Sequence, residues 1–259
     1  MSGVGGPSSL EQKSASFAAE LQTTLDLVLP GDRTIVATRA SDSDHRFVVS
    51  PEGAQVSDRR LPLYVHGEHL ANLAVSMYLD LDRTGKHLKT VKSDVIVHSK
   101  LDSKPLIRYE YLSTMTSSPI AHWHVHAERG ALSHLLARAH EHHPGLVKAP
   151  HDMSSLHIPV GGERYRPCME DVLPVGGERY RPCMEDVLQF LVADCGVDAV
   201  PDWEKAICEG CERWRLRQLA TAIRDVPGET GRILAELGWT VTPPMQGQST
   251  EQRQALRQW

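Results

Sequence analysis

A histidine at every second position marks the segment of this chain that is best suited to chemistry. His122, His124 and His126 alternate with apolar residues that include Trp123 and Val125. In a β-strand, residues two apart point to the same face. The pattern therefore predicts a strand over 119–127 with Trp123 and Val125 on the core face and the three imidazoles together on the opposite face.

Two neighbouring imidazoles on such a face can bind one metal ion, since imidazole is a preferred ligand of zinc and similar divalent metals. The outer pair, His122 and His126, would lie about 13 Å apart along the strand. A third ligand must then come from elsewhere, and the candidates are His157, Glu128 and His98. The predicted metal ligands are His124, His126 and His157.

The same histidines could act without a metal, one as general base and another as general acid, while an arginine holds a phosphate. A Gly-Gly turn precedes Arg164-Tyr165-Arg166 and recurs before Arg179-Tyr180-Arg181, and paired arginines grip phosphate or carboxylate well. The candidate catalytic residues are His122, His124, His126, His157, Arg164 and Arg179. The alternatives are a solvated histidine face and an ordinary surface turn before a helix.

The chain contains five cysteines. An odd number does not indicate a disulfide framework. Cys208 and Cys211 form a single CxxC motif within a predicted helix, and without a second pair the motif favours helix packing over a zinc or redox site.

Residues 159–173 and 174–188 are an identical tandem duplication. The second copy continues into an amphipathic helix over 182–195, with Met184, Val187, Leu188, Leu191 and Val192 on one face. Pro174 stops the same helix in the first copy. We therefore expect the second copy to supply the buried helix and residues 163–178 to form a loose, exposed segment.

Apolar periodicity organises the rest of the chain. It predicts strands over 34–38, 46–49, 69–82, 87–98, 105–112 and 119–127, and helices over 10–29, from Leu132 to near Pro144, and over 182–195, 202–224 and 229–237. Short turns between successive strands favour an antiparallel meander. The predicted fold is α+β, with helices packed on one face of the sheet and a C-terminal helical segment. Its expected parts are a flexible leader (1–9), an α+β domain (10–196), a helical segment (197–241) and a polar tail (242–259).

Composition narrows the functional classes. The net charge of −5 and the pI of about 6.3 argue against a broad basic surface for nucleic acid, although a local basic pocket stays open. No run reaches the roughly 18–20 apolar residues of a membrane span, and residues 1–9 lack the order of a signal peptide. We expect a cytoplasmic protein without a membrane partner.

From about residue 105 to 192, the order of features resembles the TumE-type toxin-like proteins of bacterial toxin–antitoxin modules. The resemblance rests on the strand Ile107–Tyr111, the His-x-His strand at 122–126 and the acidic helix start Met184–Leu188. It implies a cytosolic toxin directed at nucleic acid, with an antitoxin as partner and His124 and His126 as the residues carried over. The first hundred residues and the C-terminal helices lie outside it.

His124-Val125-His126 also resembles the His-hydrophobic-His strand of HUH endonucleases, which are metal-dependent nucleases with a helix-borne tyrosine that attacks DNA. Tyr165 or Tyr180 would be that tyrosine.

Our leading hypothesis is a phosphodiester-cleaving, ribonuclease-like toxin that acts on RNA or another nucleic acid. It would use the histidine face as an acid/base site or as a site for zinc or another divalent metal. The rival hypothesis is a non-enzymatic scaffold whose C-terminal helices bind a partner protein. An HUH-like DNA nuclease is a further alternative.

Overall fold

We describe the fold from a computed structural model. The structure describes residues 9–41, 45–55, 57–102, 104–115, 120–126, 130–147, 156–158, 182–243, 245 and 251–253. Within these residues the chain forms one seven-stranded antiparallel sheet and five helices. The predicted α+β class, with its meander and its C-terminal helical segment, is confirmed.

The sheet is built around one long strand. The strands are β1 (Ile35–Arg39), β2 (Phe47–Pro51), β3 (Arg60–Val65), β4 (Glu68–Leu81), β5 (Leu88–Ser99), β6 (Pro105–Leu112) and β7 (Ala121–Val125). Their order is β1-β2-β4-β5-β6-β7, and β3 also pairs with β4. β3 pairs with the first half of β4, and β2 pairs with its second half. The 14-residue β4 can therefore hold two short strands that would have little support alone.

The helices are α1 (Ser9–Asp26), α2 (Gly130–His142), α3 (Met184–Ala193), α4 (Trp203–Asp225) and α5 (Pro227–Glu236). One core cluster joins alternate residues of the sheet, such as Val95 and Tyr109, to Leu25 of α1, Leu136 of α2 and Leu188 of α3. The other face of the strands carries the polar members of the alternating pattern. None of the described helices is both long and apolar enough to cross a membrane.

The helix predicted from the second copy of the duplication is confirmed. α3 spans Met184–Ala193, and its apolar residues Met184, Val187, Leu188, Leu191 and Val192 are all buried. Burial of this face removes it from water and fixes the position of the helix on the core. The first copy and the expected loose segment at 163–178 lie outside the described residues.

α4 packs closely against α3 at Gly210, where Glu185 occupies the space that a Cβ atom would need. The Cδ atom of Glu185 lies 2.8 Å from the position of that Cβ. We expect Gly210→Ala to lower the free energy of unfolding. Overpacking destabilises the folded protein by about 1–3 kcal/mol, whereas the better helix propensity of alanine stabilises it by only about 1 kcal/mol.

Gly231→Ala in α5 is the matched control, because among the described residues its new Cβ would meet only Val241 Cγ1, at 3.6 Å. Denaturant unfolding should show a loss for Gly210→Ala and a small gain for Gly231→Ala. An equal gain in both variants would contradict close packing at Gly210.

Candidate metal centre on the polar face of the sheet

The histidine strand forms over Ala121–Val125, which is shorter than the predicted 119–127 and leaves His126 beyond its end. β7 pairs with β6 so that His122 lies opposite Glu110 and His124 opposite Arg108. Trp123 points to the helical side, where its ring lies 5.0 Å from that of Tyr109 and 5.9 Å from that of Phe190. Trp123 and Val125 pack against the core, although both stay partly exposed. His122 and His124 consequently share the opposite, polar face.

Both imidazoles approach the same carboxylate oxygen. Oε2 of Glu110 lies 3.8 Å from Nε2 of His122 and 3.4 Å from Nε2 of His124. The two imidazole rings are 4.8 Å apart and nearly perpendicular, and one nitrogen from each ring and a Glu110 oxygen all lie within 4.8 Å of one another. Bonds of about 2.0–2.1 Å to a tetrahedral metal would place such ligand atoms about 3.3 Å apart. A small inward movement of the side chains would therefore bring three ligands onto one ion.

The register of the sheet explains why these residues meet. Glu110 and His122 are directly opposed on adjacent antiparallel strands, and His124 is the diagonal neighbour on the same face. Opposed and diagonal side chains on one face are within reach of each other. Two histidines at positions i and i+2 thus converge on one acid from the neighbouring strand.

Charged neighbours surround this group. Arg108, two residues before Glu110, lies 3.7 Å from its carboxylate. Asp94 is opposite Glu110 on β5, and its carboxylate pairs with Lys92 at 2.8 Å. The side chain of His124 is 44% exposed, whereas that of His122 is only 14% exposed. The group is therefore covered by protein around His122 and open to solvent around His124, and the Arg108 guanidinium lies beside it.

The protonation of His124 suits a metal ligand. Burial, the Arg108 guanidinium and the neighbouring His122 lower the pKa of His124 below its ordinary value. A neutral imidazole keeps a nitrogen lone pair available, which coordination requires.

The structure groups His124 with residues other than its predicted partners. Among the described residues, the group that contains His124 includes Glu110 and His122 but neither His126 nor His157. His126 follows the end of β7 and donates its backbone N–H to Leu106. His157 is largely exposed, and its Nδ1 lies 2.9 Å from Asp194.

The remaining candidates do not join the group either. His98 is buried on β5, in register with Pro105. The other residues considered from the sequence, Glu128, Arg164, Tyr165, Arg166, Arg179, Tyr180 and Arg181, lie outside the described residues. Arg108 is the cation that the structure places beside the histidines. Glu110 and Arg108 both lie in the predicted strand 105–112, so pairing that strand with the histidine strand in the correct register would have found them.

A second group of possible ligands lies in the helical layer. Cys208 is exposed while Cys211 is buried, so the CxxC motif does not act as a pair. Cys211 instead faces Cys183 and Asp186. Burial raises the pKa of the Cys183 thiol well above its ordinary value, and Cys211 and Asp186 raise it further.

No family of known proteins matches the chain, and neither does a curated protein or a solved structure. The geometry of the polar face is thus the ground for a functional assignment.

Proposed function

We propose that this protein is a metal-dependent phosphodiesterase that cleaves RNA, with Glu110, His122 and His124 as the ligands of a zinc or similar divalent ion. The observation that carries the proposal is the approach of both histidine Nε2 atoms to one oxygen of Glu110, at 3.8 and 3.4 Å. Two histidines and one carboxylate are a ligand set that hydrolytic zinc enzymes use, with a further position left for water.

The metal supplies a water of lowered pKa and a positive charge for the phosphate oxygens. The protein supplies the position of the ion: the sheet fixes Glu110 and His122, and the exposed edge of His124 leaves room for a substrate. A polymer such as RNA can reach a site on an open sheet face, whereas an enclosed cavity would admit only small molecules.

Arg108 supports a phosphate substrate. It lies across the strand pair from His124 and contacts Glu110, so its guanidinium can bind a phosphate oxygen next to the ion. The acidic net charge fits recognition through this local cation rather than through a broad basic surface.

The direct test uses protein purified without a histidine tag. Metal analysis should find a divalent ion, and the protein should cleave a labelled single-stranded RNA. A chelator should abolish cleavage, and added zinc or manganese should restore it. Cleavage that resists complete metal removal would favour the histidine acid/base mechanism instead, and an absence of cleavage with every metal would count against the enzyme.

The toxin role is a further part of the proposal and rests on the resemblance of residues 105–192. Expression of the chain in the bacterial cytoplasm should arrest growth if it is such a toxin, and loss of the metal ligands should relieve the arrest. If bacteria grow normally while they express a metal-loaded, RNA-cleaving protein, the proposed enzymatic activity would stand and the toxin role would be refuted.

A partner-binding role is the second candidate, because α4 and α5 expose large apolar side chains. Leu216, Leu219 and Ile223 follow helical spacing on α4, and each is at least 40% exposed. α5 buries none of its residues. Such a surface suits a protein partner, for example an antitoxin. A protein that binds such a partner but does not cleave RNA would support the partner-binding role and not the enzymatic one.

A further inference from the structure

The packing of α3 on α4 buries a compact group of sulfur and oxygen atoms. Cys183 immediately precedes α3, Asp186 lies in its first turn and Cys211 lies on α4; each is about 5% exposed or less. The two Sγ atoms are 3.8 Å apart. Asp186 Oδ2 lies 3.2 Å from Cys183 Sγ, and Asp186 Oδ1 lies 3.8 Å from Cys211 Sγ.

The charge around this group is poorly balanced. Asp186 is accompanied by Glu185, which is only 9% exposed and lies close enough to Cys183 to act on its thiol electrostatically. In the described part of the chain, one cation is within ion-pair distance of these two carboxylates: Arg215, 3.8 Å from Asp186 Oδ1. Burying carboxylates is costly unless charged or hydrogen-bonding partners compensate them, so a metal ion bound directly to Asp186 would give this carboxylate a further partner.

Glu185 adds a second acidic side chain beside this group. No described residue forms a hydrogen bond or ion pair with its carboxylate. The side chain already lies against α4, where its atoms fill the space beside Gly210. Together with Cys183, it borders a cavity of about 410 Å³.

We propose that Cys183, Asp186 and Cys211 bind one zinc ion that joins α3 to α4, with a water from the cavity beside Cys183 in the fourth position. Tetrahedral zinc with bonds of about 2.3 Å to sulfur and about 2.0 Å to oxygen places the sulfur atoms about 3.8 Å apart and sulfur about 3.5 Å from oxygen. The two sulfur atoms already lie 3.8 Å apart. The sulfur–oxygen distances of 3.2 and 3.8 Å involve different oxygens of Asp186, so its carboxylate must turn slightly to bind zinc through one oxygen. This site is separate from the one on the sheet and does not depend on the proposed hydrolysis.

Surrounding contacts already hold the ligands in place. The backbone N–H of Cys183 donates to Asp186 Oδ2 at 2.9 Å, which leaves Oδ1 turned toward Cys211. Hydrogen bonds of this kind orient metal-binding carboxylates. Zinc binding would release the thiol protons to solvent and form two zinc–thiolate bonds, and Arg215 would offset the remaining negative charge. All three ligands are buried, as in structural zinc sites.

Cobalt(II) provides the sharpest test, because thiolate-to-cobalt absorption in the near ultraviolet requires a cobalt–sulfur bond. The sheet site, which has only histidine and glutamate ligands, cannot produce this absorption. The first copy of the duplication carries the same residues as Cys168 and Asp171, so every variant should also carry Cys168→Ser. In that background, reduced full-length protein should bind one equivalent of cobalt with thiolate bands, which zinc should then bleach.

The variants separate the two sites. The thiolate bands should disappear in Cys183→Ser/Cys211→Ser and persist in His122→Ala/His124→Ala. Cys208→Ser is the matched control: it removes the exposed cysteine of the same CxxC motif and should keep the bands. Absence of the bands in the parent protein, or their survival in Cys183→Ser/Cys211→Ser, would overturn the proposal.

A second measurement covers variants that fail to fold. In His122→Ala/His124→Ala, which lacks the sheet site, zinc should slow the modification of two thiols under partly denaturing conditions, because both are buried in the folded protein. It should also raise the Tm by several degrees, since a ligand that binds only the folded state stabilises it. Unchanged thiol reactivity and Tm at saturating zinc would refute the site. Formation of a Cys183–Cys211 disulfide in the presence of saturating zinc would refute it as well.

Discussion

Glu110→Gln should reduce RNA cleavage and the affinity of the sheet site for metal, each by at least about 100-fold. Loss of a residue that merely orients a metal ligand already lowers metal affinity or activity by about 10–100-fold, and Glu110 is proposed to bind the metal directly. The substitution keeps the size of the side chain and removes its negative charge. Both histidines approach this carboxylate, so its loss should affect the whole group. The measurements are kcat/KM on a labelled RNA and the competition of the protein with a metal indicator.

Asp94→Asn is the matched control for Glu110→Gln. Asp94 lies directly opposite Glu110 on the same polar face and makes its own ion pair with Lys92, but it is outside the ligand group. We expect Asp94→Asn to change kcat/KM by less than about tenfold, with no loss of metal. Equal effects of the two substitutions would mean that negative charge on this face, rather than coordination, supports the activity.

A comparison of His124→Ala with His126→Ala separates the structural site from the one predicted from sequence. Only His124 belongs to the group that contains Glu110. His124→Ala should therefore match Glu110→Gln, while His126→Ala should keep most of the metal and activity. If His126→Ala is as damaging as His124→Ala, the sequence-based ligand set is the better description.

Alternation along the chain was sufficient to predict the central sheet. β4, β5 and β6 each bury every second side chain over a long stretch, and their predicted bounds agree with the structure to within one or two residues. β3 also buries every second side chain, at Leu61, Leu63 and Val65. It was not predicted, because the strand is short and contains Pro62, which lacks a backbone donor and argues against a strand. Its place depends on the free edge that β4 offers, which is a tertiary property.

The candidate site was predictable only in part for the same reason. The positions of His122 and His124 on one face follow from their spacing. Glu110 joins them only through the register between β6 and β7, and local periodicity does not determine which residues of two strands are opposed. The approach of Cys183 to Cys211 likewise depends on how α3 packs on α4, over 28 residues of sequence separation.

Leu188→Ala should lower the free energy of unfolding by about 2–5 kcal/mol, because it removes a fully buried side chain and leaves a cavity. Leu188 has no exposed surface and lies in the core cluster with residues of the sheet and of α1 and α2. Equilibrium unfolding in denaturant is the appropriate measurement, with the slope of the transition used to check that the unfolded state is unchanged.

The duplication provides an unusually close control for this prediction, since Leu173 occupies the same place in the identical first copy. We expect Leu173→Ala to change stability by less than about 0.5 kcal/mol, as surface substitutions usually do. A close-packed core has room for one such helix at this position, and α3 of the second copy occupies it. A large loss with Leu173→Ala and none with Leu188→Ala would show that the first copy fills this place instead. Losses in both would show that the fold has incorporated both copies of the duplicated segment.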